Sequence, residues 1–189
     1  FYDRWARLIA RYMPKYIPGN PTFVVQNMPG AGSVIATNYV YSVAKPDGLT
    51  LVAPNPNLYV DHLIGRTEIK FEWAKFSWLG NASRTRDMLY MRTDAPFKTI
   101  EDVRNAKEPP KCGATGTGTT GFLVPRLLEE TIGAKFTIVT GYKGGNEVDL
   151  AVERGEIQCR AFSVTAFFAR EPFHTWRKNN FARAIIQMG

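Results

Sequence analysis

Residues 111–133 read KCGATGTGTTGFLVPRLLEETIG and predict a strand, a loop rich in glycine and threonine, and a helix, in that order. Apolar residues recur at helical spacing over residues 122–132, and Gly133 is a typical helix C-cap. Residues 135–139 then predict another strand, after which a helix and a further strand follow. Strands that alternate with helices in this way predict βαβ crossovers and a mostly parallel sheet with helices on both faces.

The first half of the chain has the same order of elements. Apolar residues at helical spacing predict a helix over residues 4–16. Residues 22–26 predict a strand, the glycine-containing loop 27–33 follows, and residues 34–44 and 49–53 predict a helix and a second strand. The fold class predicted from the sequence is therefore α/β, with similar architecture in the two halves.

Domain boundaries are predicted from a break in this pattern. Asp94-Ala95-Pro96-Phe97 interrupts the succession of strands and helices, and a lobe boundary fits there. We therefore expect a first lobe over residues 1–95 and a second lobe over residues 96–180. The apolar run within residues 181–189 predicts a strand that crosses back to the first lobe.

The charge of the chain limits its partners. The formal net charge is +7 and the pI is near 9.5, which suits nucleic acid, an anionic membrane surface or an anionic small ligand. The basic residues are spread along the chain, and no motif that reads nucleic acid accompanies them, so we expect no nucleic acid partner. No stretch approaches the roughly 20 apolar residues that span a bilayer, so we expect no stable membrane insertion.

The loop between the strand and the helix of residues 111–133 has the composition of an anion-binding site. Its residues are Thr115, Gly116, Thr117, Gly118, Thr119 and Thr120. Glycines leave backbone N–H groups uncovered, the helix N-terminus adds partial positive charge, and threonine hydroxyls donate further hydrogen bonds. The loop therefore predicts a cradle for a carboxylate or a phosphate. A tight turn without a ligand is the alternative interpretation.

Nucleotide binding is not favoured for this loop. The phosphate-binding loop of nucleotide hydrolases ends in Gly-Lys-Ser/Thr, and residues 115–121 contain no lysine. The spacing of the glycines and the surrounding sequence also fit the dinucleotide-binding fingerprint poorly.

Two loops of the first half are further candidates. Residues 27–33 follow a predicted strand, and they either contact a ligand or serve only to start the next helix, since Pro29 removes one backbone donor. Asn55 also follows the end of a predicted strand, where the ligands of open α/β sheets gather. We therefore include Asn55 among the candidate ligand-binding residues.

Catalysis is not predicted. His62 and His174 are the only histidines, and neither occurs in the pattern of a metal site or a nucleophile–base pair. Cys112 and Cys159 fit no metal-ligand spacing and no activated-thiol motif. They are either two buried apolar side chains or a disulfide in an oxidising compartment. No cofactor, metal or catalytic residue is expected.

Five segments occur in an order and spacing that resemble one family across nearly the whole chain. They are VVQNMPGAGS at residues 24–33, PDGLTL at 46–51, GTGTT at 116–120, YKGGNE at 142–147 and GEI at 155–157. Together they resemble the extracytoplasmic receptors of the tripartite tricarboxylate transporters, also called Bug receptors.

The resemblance implies a two-lobed type II periplasmic binding protein, or Venus flytrap, in which each lobe is a mostly parallel sheet flanked by helices. It implies a periplasmic location and no catalysis. It also implies capture of a small organic carboxylate in an interlobe cleft and delivery to the membrane subunits of a transporter. Two alternatives stay open: an enzyme on the same scaffold that acts on a phosphorylated substrate, and a ligand-sensing module.

The resemblance also implies which residues bind the ligand. In this family two loops hold a carboxylate, and one of them matches residues 115–120 here. The other loop follows the first strand, which would precede Phe1, so Tyr2 is the residue of this sequence nearest to that loop. The part that completes the first lobe is expected to follow Gly189. No signal peptide is present in the sequence.

Topology adds one more candidate loop. The loop that follows the strand ending at Phe162 contains Ser163, and it would face the crevice beside the other strand ends. Phe162 and Phe167 would pack either against an apolar part of the ligand or into the core of the lobe.

Overall fold

A computed structural model describes residues 2–82, 84 and 86–188, which form two compact units, Phe1–Ala82 and Ser83–Gly189. The predicted lobes also include Phe1, Ser83, Thr85 and Gly189, which lie outside the described residues. The boundary between these units lies before the strand at Asp87–Arg92, because the hydrogen-bonded partners of that strand belong to the second unit. The two lobes with a boundary at residue 95 stay a prediction.

The second unit contains a five-stranded sheet in the order β3-β2-β4-β1-β5. Its strands are β1 (Asp87–Arg92), β2 (Lys111–Gly113), β3 (Thr137–Val139), β4 (Cys159–Ser163) and β5 (Ala182–Gln187). β2 pairs in parallel with β3 and β4, whereas β1 pairs antiparallel with β4 and β5. All the strands except β1 therefore run in one direction, and the carboxyl ends of β2, β3 and β4 lie at one edge.

The strand predicted within residues 181–189 is thus β5, and it lies beside β1 in the sheet of the second unit. This pairing satisfies backbone groups on the side of β1 that faces away from β4. That the chain crosses back to the first lobe after β5 stays a prediction.

Five helices flank the sheet. They are α4 (Ile100–Arg104), α5 (Thr120–Ile132), α6 (Gly145–Glu153), α7 (Val164–Ala169) and α8 (Phe173–Lys178). Thr99 and Asp102 form the capping box that starts α4, and Gly133 ends α5 in the left-handed conformation with φ +73°. The end of α5 at Gly133 agrees with the sequence prediction, because a helix cap is a local signal.

β1 divides the core of the second unit into two layers. Met88 and Tyr90 face one layer and Leu89 and Met91 the other, and all four side chains are buried. The first layer is aromatic, with Phe162, Phe167, Phe173 and Trp176 packed around Tyr90. The second layer contains Cys112 and Cys159 together with aliphatic residues of α4 and α5. The sheet is therefore covered on both faces.

Cys112 and Cys159 form a disulfide between the neighbouring strands β2 and β4, with their Cα atoms 4.5 Å apart. Of the two interpretations left open by the sequence, the structure therefore shows the disulfide. Both side chains are fully buried. A cross-link over a separation of 47 residues is expected to stabilise the fold by about 4 kcal/mol through the lost entropy of the unfolded chain.

The first unit is helical in the structure. It contains α1 (Tyr2–Tyr12), α2 (Val34–Ser42) and α3 (Leu58–Leu63), together with short 3-10 helices at Met13–Tyr16, Ala31–Ser33 and Trp73–Lys75. A small core forms around Val34, Leu58 and Phe71. None of the helices in the described part of the chain is both long and apolar enough to cross a membrane.

The prediction of strands at residues 22–26 and 49–53 is wrong, because the described residues of the first unit contain no strand. Both segments are non-helical, and the side chains of Val24 and Leu49 are 78% and 85% exposed. A run of β-branched and apolar residues becomes a strand only where a neighbouring strand supplies hydrogen bonds and packing. Propensity alone therefore did not decide these two segments.

Candidate functional site

Three loops of the second unit meet at the carboxyl edge of the parallel strands. They follow β2 at residues 114–119, β3 at residues 140–144 and β4 at Ser163. In open α/β sheets, ligands bind outside the carboxyl ends of the strands. This edge is therefore the candidate site of the second unit.

The loop after β2 is closed by its own hydrogen bonds. The Ala114 N–H donates to the Val139 oxygen at 2.9 Å, which fixes the start of the loop to β3. The hydroxyl of Thr119 donates to the Gly116 oxygen at 2.7 Å, and the Thr119 N–H donates to the same oxygen at 3.2 Å. Thr119 is only 9% exposed, so its hydroxyl supports the turn. A hydrogen bond from this hydroxyl to a ligand, as the sequence predicts, requires the bond to Gly116 to open.

The rest of the loop leads into the N-terminus of α5. Thr115, Gly116, Thr117 and Thr120 are partly exposed and Gly118 is buried. Thr119 is the N-cap, its hydroxyl donates to the Gly116 oxygen, and its side chain makes no cap hydrogen bond to the amides of the first turn. The partial positive charge of a helix N-terminus is therefore not offset by an N-cap side chain here.

Glycines bring α5 and α6 close to β2. A Cβ added to Gly121 would lie 3.0 Å from the Gly113 oxygen, and one added to Gly113 would lie 2.7 Å from Val148 Cγ1. The loop glycines Gly116 and Gly118 are not among the described residues with positive φ. Gly116 is partly exposed, and the absence of a side chain there leaves its backbone accessible.

The other two candidates of this unit have structural contacts. Ser163 is the N-cap of α7, and its Oγ accepts a hydrogen bond from the Ala166 N–H at 3.1 Å. Phe162 and Phe167 are buried in the aromatic layer, where the ring centroids of Phe162 and Phe173 are 4.7 Å apart. Of the two interpretations left open for these phenylalanines, core packing is the one that the structure shows.

The loop after β3 was not among the sequence candidates, although it ends at the same edge. Its Lys143 N–H donates to the Glu147 carboxylate at 2.8 Å, and burial raises the pKa of Tyr142. The signal that could have revealed it is its position between a predicted strand and a predicted helix, the same position that singled out residues 115–120. Tyr142 and Glu147 also line a shallow pocket of about 220 Å³ along α6.

In the first unit, Asn55 joins two loops. Its side chain is 6% exposed; Nδ2 donates to the Gly32 oxygen at 3.5 Å and Oδ1 accepts from the Asn57 N–H at 3.1 Å. Tyr2 lies at the start of α1, half-exposed, and Asn27 Nδ2 donates to the adjacent Asp3 at 2.8 Å. Of the predicted site residues, Tyr2 and Asn55 belong to this unit and all the others to the second.

The loop that Asn55 contacts has an unusual backbone. Gly30, Ala31, Gly32 and Ser33 have φ values of +132°, +45°, +62° and +85°. The left-handed conformation costs a non-glycine residue about 1 kcal/mol, and Ala31 and Ser33 both adopt it. Such strain persists where the surrounding structure enforces it and is concentrated at functional sites.

Metal chemistry has no evident location in the described residues. Among residues 2–82, 84 and 86–188, no group of three or more histidine, cysteine, aspartate or glutamate side chains is arranged to hold a metal ion. The arrangement that does recur at the carboxyl edge is backbone N–H groups at glycine-rich strand-to-helix turns, which bind anions by hydrogen bonding alone.

Two solved structures have the same fold as this chain. The Rhodopseudomonas palustris protein Rpa4515, solved with adipate, superposes with a TM-score of 0.80 at 23% identity and covers 98% of this chain and 60% of its own. MatC from the same organism, solved with bound malate, gives a TM-score of 0.81 at 20% identity over 100% of this chain and 63% of its own. The fold is therefore that of the type II periplasmic binding proteins, as the sequence predicted.

The family follows from the sequence. Residues 6–173 match the tripartite tricarboxylate transporter family receptor, and the chain belongs to this family. A UPF0065 protein in the TAR-I ttuE-ttuC' intergenic region of Agrobacterium vitis is 30% identical over 171 residues, 80% of this chain. The chain spans only 46% of the length of that relative.

Proposed function

We propose that this protein is a periplasmic receptor that captures a small organic carboxylate and delivers it to the membrane subunits of a tripartite tricarboxylate transporter. The observation that carries the proposal is the glycine- and threonine-rich loop between β2 and α5. It lies at the carboxyl edge of the sheet, and its N-cap hydroxyl is bonded to Gly116 rather than to the first turn of the helix.

The chemistry of binding at this loop needs no proton transfer. Residues 115–120 carry only hydroxyl and backbone groups, which donate hydrogen bonds to a carboxylate without titrating near neutral pH. A hydrogen bond to a charged group contributes about 1.5–3 kcal/mol, and the N-terminus of α5 adds a favourable interaction with negative charge. The loop thus suits binding and release of an anion rather than catalysis.

Three independent observations support the periplasmic carboxylate receptor. The chain belongs to a family of transporter receptors, and two structures of the same fold were solved with adipate and with malate. The buried disulfide between Cys112 and Cys159 is typical of an oxidising compartment. The net charge of +7 favours anionic ligands over cationic ones. An interlobe cleft that closes on the ligand stays a prediction of the family resemblance.

A ligand screen followed by one matched pair of variants tests the proposal. Thermal shift of the intact protein against mono-, di- and tricarboxylates, aromatic acids, amino acids and phosphorylated metabolites should identify an organic acid that raises the melting temperature. Calorimetry should then show that Thr117→Val weakens the affinity about tenfold or more, because a charge-assisted hydrogen bond is lost.

The control is Thr131→Val on the same helix, whose hydroxyl donates to the Leu127 oxygen far along α5 and should leave the affinity unchanged. A protein that responds only to phosphorylated compounds would contradict the receptor and favour the enzyme alternative. If Thr117→Val binds organic acids as tightly as the wild type, the loop after β2 is not part of the ligand site, but the proposed receptor function still stands.

A further inference from the structure

A buried group of three charged side chains lies beneath the carboxyl edge of the second unit. Asp149 on α6 is 3% exposed, and it pairs with Arg160 on β4 through Oδ1 and with Arg170 through Oδ2, the latter at 2.9 Å. The side chains of Arg160 and Arg170 are 13% and 10% exposed. The hydroxyl of Tyr90 lies 3.5 Å from the same carboxylate. The three charged residues are not among the predicted site residues.

Burying these three charged side chains costs free energy, so stability alone does not account for the group. Burying three ions requires full pairing, and two guanidinium groups share one carboxylate, which leaves one excess positive charge. Burial lowers the pKa of Arg170 accordingly. Each guanidinium lies over an aromatic ring, Arg160 over Phe162 at 4.7 Å and Arg170 over Phe173 at 4.6 Å. The aromatic layer of the core therefore holds both cations in place.

The same side chains hold the end of one loop and the residue that follows α7. Arg160 Nη1 donates to the Gly145 oxygen at 2.9 Å, which ties the first turn of α6, and with it the end of loop 140–144, to β4. Arg170 directly follows α7, the helix that Ser163 caps. Asp149, on α6, accepts a hydrogen bond from Arg170 and so holds the end of α7. One carboxylate thus links the loop after β3 and the segment after β4.

We propose that Asp149, Arg160 and Arg170 act as a positioning triad that preorganises the loop after β3 and the segment after β4 for the ligand. The triad does not touch the ligand; it holds the carboxyl edge in one geometry, so that ligand binding does not have to order these loops. The inference rests on the proposed carboxylate-binding function.

Asp149→Asn separates positioning from charge. The substitution removes a negative charge, so simple attraction of an anion would become stronger. Positioning predicts the opposite, a loss of affinity of about tenfold, because the two arginines would repel each other and release Gly145 and the segment after α7. Affinity is measured by calorimetry with adipate and with malate, at a temperature where circular dichroism shows the variant folded. The control, Glu153→Gln, removes a carboxylate one turn along α6 that accepts from Trp176.

A second pair of variants keeps the inference testable if Asp149→Asn does not fold. A Cβ added at Gly145 would lie 2.6 Å from Arg160 Nη2 and displace the guanidinium, whereas one added at Gly144 meets nothing within 4 Å. Neither glycine has a positive φ. Gly145→Ala should therefore weaken affinity several-fold, and the neighbouring Gly144→Ala should not. Equal affinities in the two alanine variants would overturn the triad.

Hydrogen exchange in the ligand-free protein gives a readout that does not depend on the ligand. In Gly145→Ala and Asp149→Asn, amides of residues 140–145 and 163–170 should exchange faster than in the controls. If the wild type binds no organic acid, the proposed function fails, and these exchange rates still decide whether the triad positions the loops. If the wild type binds and all variants bind equally, with unchanged exchange, only the triad fails.

Discussion

The two units hold their candidate loops in different ways. In the second unit the loops continue from strands of a hydrogen-bonded sheet, and Ala114 is fixed by a backbone bond to Val139. In the first unit the loop around Gly32 is held by a side chain, the amide of Asn55, and its backbone passes through four successive positive φ values. A sheet edge fixes a loop without strain at each residue, whereas a loop held by side chains tolerates a strained backbone.

This difference teaches how an anion cradle is made robust. The loop after β2 is fixed to β3 by the backbone bond from Ala114 to Val139, and the Thr119 hydroxyl closes its turn. In the first unit, side chains carry part of the constraint, because Asn55 donates to the Gly32 oxygen and Thr37 donates to the Ser33 oxygen at 2.9 Å. The second unit should therefore be sensitive to changes in the sheet and its core, and the first unit to changes at single polar contacts.

The largest expected effect is on the sheet of the second unit. Replacing both Cys112 and Cys159 by alanine should lower the free energy of unfolding of that unit by about 4 kcal/mol, because the unfolded chain regains its loop entropy. Urea denaturation followed by the fluorescence of Trp176, the tryptophan of this unit, measures the change. A reductant should destabilise the wild type and leave the double variant unaffected; a double variant as stable as the wild type would contradict the cross-link.

A smaller effect is expected from crowding between β2 and α6. Gly113→Ala places a methyl group 2.7 Å from Val148 Cγ1 and against Ile157, both fully buried, and should cost about 2 kcal/mol. Gly133→Ala, at the end of α5, meets nothing within 4 Å and tests the backbone alone; its φ of +73° predicts a cost of about 1 kcal/mol. If Gly133→Ala lowers the free energy of unfolding more than Gly113→Ala does, the close packing of β2 is a weaker constraint than the backbone conformation at Gly133. The measurement is again urea denaturation.

Sequence reasoning succeeded where local signals and the sheet agree. The cap at Gly133, the helical spacing over α5 and the strand-to-helix order of the second unit all act within a few residues, and the structure has them as predicted. The glycine- and threonine-rich loop lies at the carboxyl edge for the same reason, because strand, loop and helix are adjacent in the chain.

Sequence reasoning failed where structure depends on distant partners. Residues 22–26 and 49–53 have strand composition, yet a strand requires hydrogen bonds from elsewhere in the chain. The pairing of β1 with β4 and β5 places β1 in the second unit, and no local pattern in the sequence indicates such pairing. The triad joins residues 149, 160 and 170 through side chains from different segments, so no local spacing predicts it either.

For the first unit, Asn55→Ala should cost about 1.5 kcal/mol, less than the changes in the sheet of the second unit. The substitution removes the bond to the Gly32 oxygen and the bond from the Asn57 N–H. Asn55→Asp keeps the acceptor for Asn57 and should cost less if the turn, rather than the link to Gly32, is the main contribution. The fluorescence of Trp73 and Trp78, whose rings lie 4.6 Å apart in this unit, follows its unfolding. Unchanged stability in both variants would show that the loop does not depend on Asn55.

The smallest expected effect has the opposite sign. Ser33 has a φ of +85°, so Ser33→Gly should stabilise the first unit by about 1 kcal/mol or less, the relief of left-handed strain minus the greater entropy of glycine in the unfolded chain. Ser42→Gly, at the end of α2, has no such strain to relieve and should destabilise. If the strain serves ligand binding, Ser33→Gly raises the melting temperature of the free protein and lowers its affinity for the organic acid. If the melting temperature and the affinity both rise, the strain is a consequence of the fold, and the first unit binds no ligand through this loop.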